Sequence, residues 1–513
     1  MRVNRLMKLH YLVQFPILSA LIFGVISILG FAPFYIFPLS ILSLIGLFYL
    51  WQQSTSAVQA WQIGLSYGLG FFTAGIYWIY ISLHIYGGMP WWMAIISTLL
   101  LCTFLALFPA IAGYFNHRFK TFLIAAPVFW SLFEWFRGWI FTGFPWLTVG
   151  YSQVPYSPLI GFMPIIGVYG VSFMMTLLAT LTVNLLTLDS NSKAHIRRNT
   201  IASITFIIVL GGLLRLFPWV SPIGAQISVA LLQGNIAQDA KWSPEMATTT
   251  IQHYIAMAKE SQAQLIVLPE TAMPVIQQNL GKENIDSLQT HMQKNQGDVL
   301  VGIVELAQEN YFNSIMSYGI SPRQVYRKSH LVPFGEFIPL KSIIGWIYQD
   351  WLHIPLADLS RGSMQAPMHI AGQKIAVNIC YEDVFGEEII QQLPEATLLV
   401  NASNDAWYGK STASYQHLQI SQARAIETGR MMLRATNTGA TAIIDQNGIL
   451  LAHAPHDTLT TLTGNAQGYT GTTPYTFWGN WPLIILLFLL LAYMMHCSNT
   501  FITLVKKSAQ NMD

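Results

Sequence analysis

Two patterns of apolar positions divide the chain. Over residues 12–31, 33–51, 58–81, 89–115, 121–141, 162–187, 200–220 and 480–497 apolar side chains follow one another with almost no charge. A helix needs about 20 such residues to cross a bilayer, so eight membrane spans are expected. Pro127, Pro164 and Gly211 fall inside them, which spans tolerate when neighbouring helices re-satisfy the backbone. Between residues 222 and 478 the pattern changes to short β-branched runs separated by amphipathic stretches. Ile227–Leu232, Leu265–Leu268, Val299–Val304, Ile375–Ile379, Thr397–Asn401 and Thr441–Ile444 read as strands, and Met246–Gln262 and Tyr415–Thr428 as helices. Strands alternating with helices predict a layered α/β fold with one full core. The Gly/Thr-rich stretch Thr463–Thr473 reads as a tether into the last span. The expected organisation is seven spans over 1–221, an inserted α/β domain over 222–478, and an eighth span with a tail over 479–513.

Charge sharpens the division. The 513 residues hold 24 acids and 26 bases, or 10% charged, against roughly 25% in soluble proteins, which excludes an ordinary soluble enzyme. Residues 222–478 carry 21 of the acids and 14 of the bases, a net −7, whereas the flanks carry 3 and 12, a net +9. The balance gives no case for nucleic-acid binding. Arg2, Arg5 and Lys8, then Arg118 and Lys120, then Lys193, Arg197 and Arg198, then Lys506 and Lys507 all fall on one side of the predicted spans. Lys and Arg collect in cytoplasmic loops, so both termini are expected in the cytoplasm and 222–478 outside it. A signal peptide is the alternative reading of the first run, opposed by its length and by the span that follows directly. Cys102, Cys380 and Cys497 are too few and too scattered for a disulfide framework, and no paired Cys/His spacing of a zinc site occurs.

Glu134 and Arg137 sit within an apolar run at i,i+3 spacing, on one helical face. An ionisable pair in a span points by default to function; the alternative is that Arg137 snorkels outward and Glu134 neutralises it. Arg215, near the end of the seventh run, reads as a snorkelling anchor.

Cys380 ends the apolar strand 374–380 and precedes Tyr381, Glu382, Asp383 and a helix expected from Phe385. A thiol at a strand-to-helix turn is exposed at a sheet edge, and a helix amino terminus lowers its pKa. Alone, such a cysteine is more often a small core hydrophobe. Glu270 follows the strand 264–268, where α/β enzymes keep reactive groups. The segment Tyr326–Pro339 combines a basic run containing Lys328, an apolar loop and a second carboxylate, Glu336.

Glu270, Lys328 and Cys380 in this order resemble the catalytic Glu, Lys and Cys of the nitrilase, or carbon–nitrogen hydrolase, superfamily. The resemblance covers the middle segment and implies a four-layer α-β-β-α sandwich. With spans on both sides, the chain is similar over nearly its whole length to the membrane-embedded apolipoprotein N-acyltransferase family. The strings Leu232–Ile236 with Trp242, Cys380–Asp383, Ser403–Gly409 and Leu433–Gly439 carry it, as do Glu134–Gly138 and Gly143–Trp146 in the membrane part. Met431 and Met432 depart from it where the family often has proline.

The resemblance implies Glu270 as general base and acid, Lys328 as electrostatic partner and Cys380 as nucleophile. Lys328 would both lower the thiol pKa and stabilise the oxyanion, with Glu336 and Glu382 as auxiliary carboxylates. Tyr381, Trp242 and Trp407 are auxiliary or substrate-binding candidates, a structural role being an equal alternative for Tyr381 and Trp242. The implied reaction moves an acyl chain from a membrane phospholipid, through a Cys380 thioester, to the α-amine of an S-diacylglyceryl cysteine that begins a lipoprotein. No metal or organic cofactor and no nucleic acid is expected. The expected setting is the bacterial inner membrane, as a monomer, with the catalytic domain periplasmic. Ile343–Tyr348 and Trp351–Leu352 are candidate lids or ordinary core. A tethered hydrolase using water as second nucleophile and a transporter with an outer binding domain are the competing readings.

Overall fold

The computed structural model describes residues 13–119, 121–188, 194–239, 241, 243–339, 341, 358–363 and 365–510. Trp242, the candidate lids Ile343–Tyr348 and Trp351–Leu352, and Arg2, Arg5, Lys8, Lys120 and Lys193 lie outside these residues. The chain forms two compact units. One comprises the residues up to Tyr77, Ile95–Phe217 and those from Trp478 onward; the other comprises Trp78–Ala94 and Pro218–Phe477.

The first unit is helical. Apolar helices occupy the predicted runs, but by length and composition three among the described residues are long and apolar enough to cross a membrane: Trp91–Phe119, Pro158–Thr187 and Ala194–Leu214. A fourth is reached if Ala57–Gly75 and Ile79–Tyr86, bent by 57° at a short break, are taken as one span. Pro16–Gly30, Phe37–Gln53 and Trp481–Cys497 are shorter. The window tested in Pro158–Thr187 is 78% buried and that in Ala194–Leu214 only 11%. The latter leaves Phe206 and Leu213 exposed, an apolar face with no protein against it.

Glu134 and Arg137 are both buried, so Arg137 does not snorkel. Glu134 Oε1 accepts from Val149 N at 2.8 Å, and Arg137 Nη1 donates to Phe144 O and, at 2.7 Å, to Trp146 O. The pair therefore clasps the irregular loop after its own helix, supplying partners that this backbone could not find in hydrocarbon. Arg215 is likewise more than an anchor: it donates to the carbonyls of Pro155, Tyr156 and Ser157.

The second unit is α/β. In chain order its strands are β1 (Val220–Gln233), β2 (Leu265–Val267), β3 (Met273–Ile276), β4 (Asp298–Ala307), β5 (Asn310–Gly319), β6 (Val325–Arg327), β7 (Met368–Ile370), β8 (Gln373–Ile379), β9 (Leu398–Ser403), β10 (Met432–Thr436), β11 (Ala442–Ile444), β12 (Leu450–His453) and β13 (Thr460–Gly471). One sheet runs β13-β1-β2-β4-β5-β6, with β3 also on β4, and the other runs β12-β11-β10-β9-β8-β7. Their centres, β1-β2-β4 and β8-β9-β10, are parallel. The helices Pro244–Glu260 and Lys282–Lys294 cover the first sheet, packing Tyr254, Ile255, Leu288 and Met292 on Ile266, Val299 and Val301. The helices Gly386–Ile389 and Ala413–Thr428 cover the second, with Ile389, Leu418 and Ala425 against Ala376, Leu399 and Met432. The sheets meet each other through β1 and β10, β5 and β8, and β11 and β13. This is a helix–sheet–sheet–helix stack, in which each fully buried aliphatic side chain contributes roughly 1.5–3 kcal/mol.

An expectation for the α/β unit fails. Thr463–Thr473 is not a tether: Thr460–Gly471 is β13, paired antiparallel along β1 from Val220↔Gly471 to Gln233↔Thr460. Its glycines and threonines hide the apolar alternation, and the ladder itself supplies the pairing.

Candidate active site

The site is built at strand ends. β2 stops at Val267, and the turn after it carries Glu270; β6 ends at Arg327, so Lys328 follows directly; β8 ends at Ile379, so Cys380 is the first residue off the strand. Cys380 adopts φ +54°, in the left-handed region, and opens a 3₁₀ turn to Val384. A non-glycine residue is strained there and persists only where its surroundings fix it. The expected helix is reduced to the four residues Gly386–Ile389.

Glu270, Lys328 and Cys380 are all buried. Lys328 Nζ lies 2.9 Å from Glu336 Oε2 and 3.4 Å from Glu270 Oε1. Asn313, on β5, donates its amide N–H groups to both carboxylates, at 2.7 Å to Glu270 and 2.9 Å to Glu336. The other oxygen of Glu270 accepts from Asn404 N at 3.0 Å, and Glu336 Oε2 accepts from Val332 N at 2.9 Å. Burial works against the Lys328 ammonium, but Glu336 and Glu270 outweigh it and hold its pKa well above the usual lysine range. The same balance falls the other way at Cys380. Burial and the Glu270 charge push the thiol well above its ordinary value, and Lys328 offsets only part of this. The expected lowering of the thiol pKa by a helix terminus and Lys328 is therefore reversed in the resting site.

Glu382 is placed differently from Glu336. Its carboxylate accepts from Ile379 N at 2.6 Å, Tyr326 OH at 2.9 Å, Ser329 N at 2.6 Å and His330 N at 3.1 Å. It ties the Cys380 turn to the segment after Lys328 rather than holding the Lys328 ammonium. Tyr381 joins an aromatic cluster with Phe385, ring centroids 5.2 Å apart, and His330, at 6.0 Å. Trp407 is 40% exposed; its carbonyl accepts from Ser82 Oγ at 2.7 Å and its ring meets Tyr86 edge-on. Residues 78–94, expected within or between two spans, thus support the 405–409 loop, with Trp78 also against Tyr408 at 4.7 Å.

Beneath the nucleophile lies a second ionic group, made of Asp383, Asp405 and Arg434 from the strings that carry the resemblance and of His417, which no string marks. His417 is fully buried, with Nδ1 2.9 Å from Asp405 Oδ1 and Nε2 2.8 Å from Asp383 Oδ1. Arg434 reaches both aspartates, at 3.2 Å to Asp383 and 2.8 Å to Asp405. Asn401 Nδ2 donates to Cys380 O at 3.0 Å, and His417 Nε2 lies 3.3 Å from the same carbonyl. Burial and Arg434 oppose a charge on His417, yet the two aspartates lift its pKa above the usual imidazole value. Asn313 and Lys241 also fall in no local pattern that marks them, and Asn404 lies in the string Ser403–Gly409 with nothing there to give it a role.

The geometry offers a thiol beside a carboxylate and a fixed ammonium, the set needed for acyl transfer through a covalent intermediate. Comparisons agree in kind. Residues 23–181 match the model of the apolipoprotein N-acyltransferase N-terminal domain, and residues 228–475 match the carbon-nitrogen hydrolase model. The chain is 48% identical over 487 residues to a protein of Nitrosomonas europaea named apolipoprotein N-acyltransferase, covering 93% of this chain and 96% of that one. Proteins of the same name from Methylococcus capsulatus and Chromobacterium violaceum are each 40% identical; the matches cover 91% of this chain and 93% and 91% of theirs.

Proposed function

The chain belongs to the apolipoprotein N-acyltransferase family, and from that premise we propose that it moves an acyl chain from a membrane phospholipid to the α-amine of an S-diacylglyceryl cysteine that begins a lipoprotein, with Glu270, Lys328 and Cys380 as its catalytic residues. The observation that carries the reading is the placement of Cys380 at φ +54°, with Glu270 and Lys328 acting on its thiol.

In the first half-reaction Cys380 Sγ attacks the ester carbonyl carbon of the phospholipid while Glu270 takes the thiol proton. The raised thiol pKa suits this order: the thiol stays protonated until substrate arrives and loses its proton in the attack. Lys328, held charged by Glu336, stabilises the oxyanion. The tetrahedral intermediate expels the lysophospholipid oxygen, Glu270 returns the proton to it, and a thioester remains. In the second half-reaction the lipoprotein amine attacks the thioester, Glu270 takes its proton, and the Cys380 thiolate leaves and is reprotonated. Asn313 and Glu336 fix the carboxylate and ammonium so that neither reorganises during the cycle. Tyr381 and Trp407 bound the substrate site in this reading, and Glu382 sets the Cys380 turn.

The eight apolar runs cross the bacterial inner membrane with both termini cytoplasmic and residues 222–478 periplasmic, the chain acting as a monomer. Drawing an acyl chain fully into water costs about 0.8 kcal/mol per methylene, so the site opens at the outer leaflet, where both substrates stay. Incubating the purified protein with phospholipid and trapping the acyl-enzyme by mass spectrometry tests the reading: an acyl mass on Cys380 is expected, and one on Cys102 or Cys497 overturns it. Adding a diacylated lipopeptide then gives the N-acylated product; amide hydrolysis without acyl transfer would indicate a hydrolase.

A further inference from the structure

Lys241 lies between β1 and the helix Pro244–Glu260, and only 2% of it is exposed. Its Nζ donates to Glu270 O at 3.1 Å and to Thr271 Oγ1 at 2.6 Å. Both acceptors belong to the turn that presents the Glu270 carboxylate. That turn is strained: Thr271 has φ +44°, a region that a β-branched residue rarely enters and keeps only when its surroundings over-determine it. The surroundings are visible on two sides. At Gly302 on β4 an added Cβ would meet Pro269 O at 2.1 Å, Thr271 N at 2.6 Å and Glu270 Cα at 2.9 Å, so the glycine lets the turn lie directly on the strand. From elsewhere Lys241 ties down its carbonyl and hydroxyl.

A neutral donor would make the same hydrogen bonds without the cost of burying an ammonium. Burial outweighs the upward pull of the Glu270 and Cys380 charges and leaves the Lys241 amine lowered to about 8. One proton passes between Cys380 and Glu270 in the attack, so one of the two is negative before and after it, and either charge draws the amine towards its protonated form.

We propose that Lys241 is a positioning residue for acyl transfer, fixing the strained Glu270–Thr271 turn and setting a second positive charge beside the Cys380 thiolate. This rests on the assignment of Cys380 and Glu270 above. The groups acting on the thiol are Glu270 after β2, Lys328 after β6 and Asp405 and Ser403 at the end of β9; Tyr408, Lys241 and Arg434 couple to it in turn.

The test uses the full chain in phospholipid-containing micelles, with acyl-enzyme formation followed by mass spectrometry and Cys380 alkylation by iodoacetamide followed against pH. Lys241→Met is expected to slow acylation about a hundredfold, on the scale of losing one preorganised charge. The donor concentration for half-maximal rate stays nearly unchanged, and the alkylation midpoint moves to higher pH. Lys241→Arg is expected to recover most of both. Acylation within about threefold of the parent with an unmoved alkylation profile overturns the proposal. Should Lys241→Met not fold, Thr271→Val decides in its place, since it removes one acceptor and keeps the charge: slower acylation with an unmoved alkylation midpoint is expected, and unchanged acylation overturns the positioning role. The parent and Cys380→Ala keep the two readings apart. A parent acylated on another cysteine refutes the assignment of Cys380, whereas a parent acylated on Cys380 with an indifferent Lys241→Met refutes only the role of Lys241.

Discussion

The charges that act on the Cys380 thiol and those that hold its carbonyl are built from the same materials to different ends. The first group sets Glu270 and Glu336 against Lys328, with Lys241 beside them; the second sets Asp383 and Asp405 against Arg434 and His417. In the second the charges cancel when His417 is protonated, and Asp405 is held well below the usual carboxylate range: burial opposes its charge, but Arg434 and His417 prevail. Nothing in it needs to change during a reaction. The first group is left in tension, with a thiol pushed up and a lysine pulled down. A frame is made by satisfying every charge, and a reactive site by leaving one proton with two places to go.

The sharpest way to break this comparison is Cys380→Ala, which should abolish both thioester and transfer while leaving the unfolding midpoint nearly unchanged, read by mass spectrometry and calorimetry. Next, Lys328→Met should lower acylation by about a hundredfold to a thousandfold, as loss of an oxyanion partner does, with a stability loss because Glu270 and Glu336 then lack their cation. Arg434→Met should show the reverse weighting: about 3–5 kcal/mol of stability lost in denaturant titration, the scale for breaking a buried pair, with a smaller effect on the rate of the folded fraction. If Arg434→Met cost more in rate than in stability, the division between frame and reactive group would fall.

The smallest effect is a pH dependence. The folded pKa of His417 is raised, so its contribution to stability is complete below the unfolded imidazole value of about 6.5 and is lost as pH rises through the folded value. The unfolding midpoint should therefore drop on going alkaline, and His417→Gln should flatten that drop. For Asp405 the sign is opposite: its contribution is present above about 3.9 and lost as pH falls through its depressed folded value.

How much of this the sequence discloses depends on whether a residue acts within a local string. Glu270 and Cys380 each follow a short apolar run, Lys328 stands in a basic run ahead of an apolar loop, and Glu336 lies in that same loop, so the set is legible. Asn313 is a single amide on β5, and only the antiparallel pairing of β4 with β5 brings it between two carboxylates. His417 is hidden for another reason. The helix Ala413–Thr428 buries Gln416, His417, Gln419, Gln422 and Arg424 along with Leu418 and Ile420. A helix buried on every side sets polar and apolar residues around its whole circumference, so its 3.6-residue period does not mark which buried polar residue is at work. Its end is conventional: Gly429 takes the left-handed cap at φ +65°. In the helical unit, i,i+3 spacing finds Glu134 and Arg137 but points to their pairing, whereas their main work is on the backbone of residues 144–149.

The pairing of β1 with β13 bears on how the catalytic unit comes into being. Val220 lies opposite Gly471, so the first strand of this sheet to be synthesised waits for the last, and the two ends of residues 220–471 lie side by side. Closing so large a ring costs entropy that grows only slowly with length, but it must be met before the ladder gives anything back. A ribosome delivering this chain from its amino terminus therefore supplies Glu270, Lys328 and Cys380 before β13, the strand that completes the sheet of Glu270 and Lys328. The sheet that carries Glu270 and Lys328 is complete only when Thr460–Gly471 is present to pair with β1.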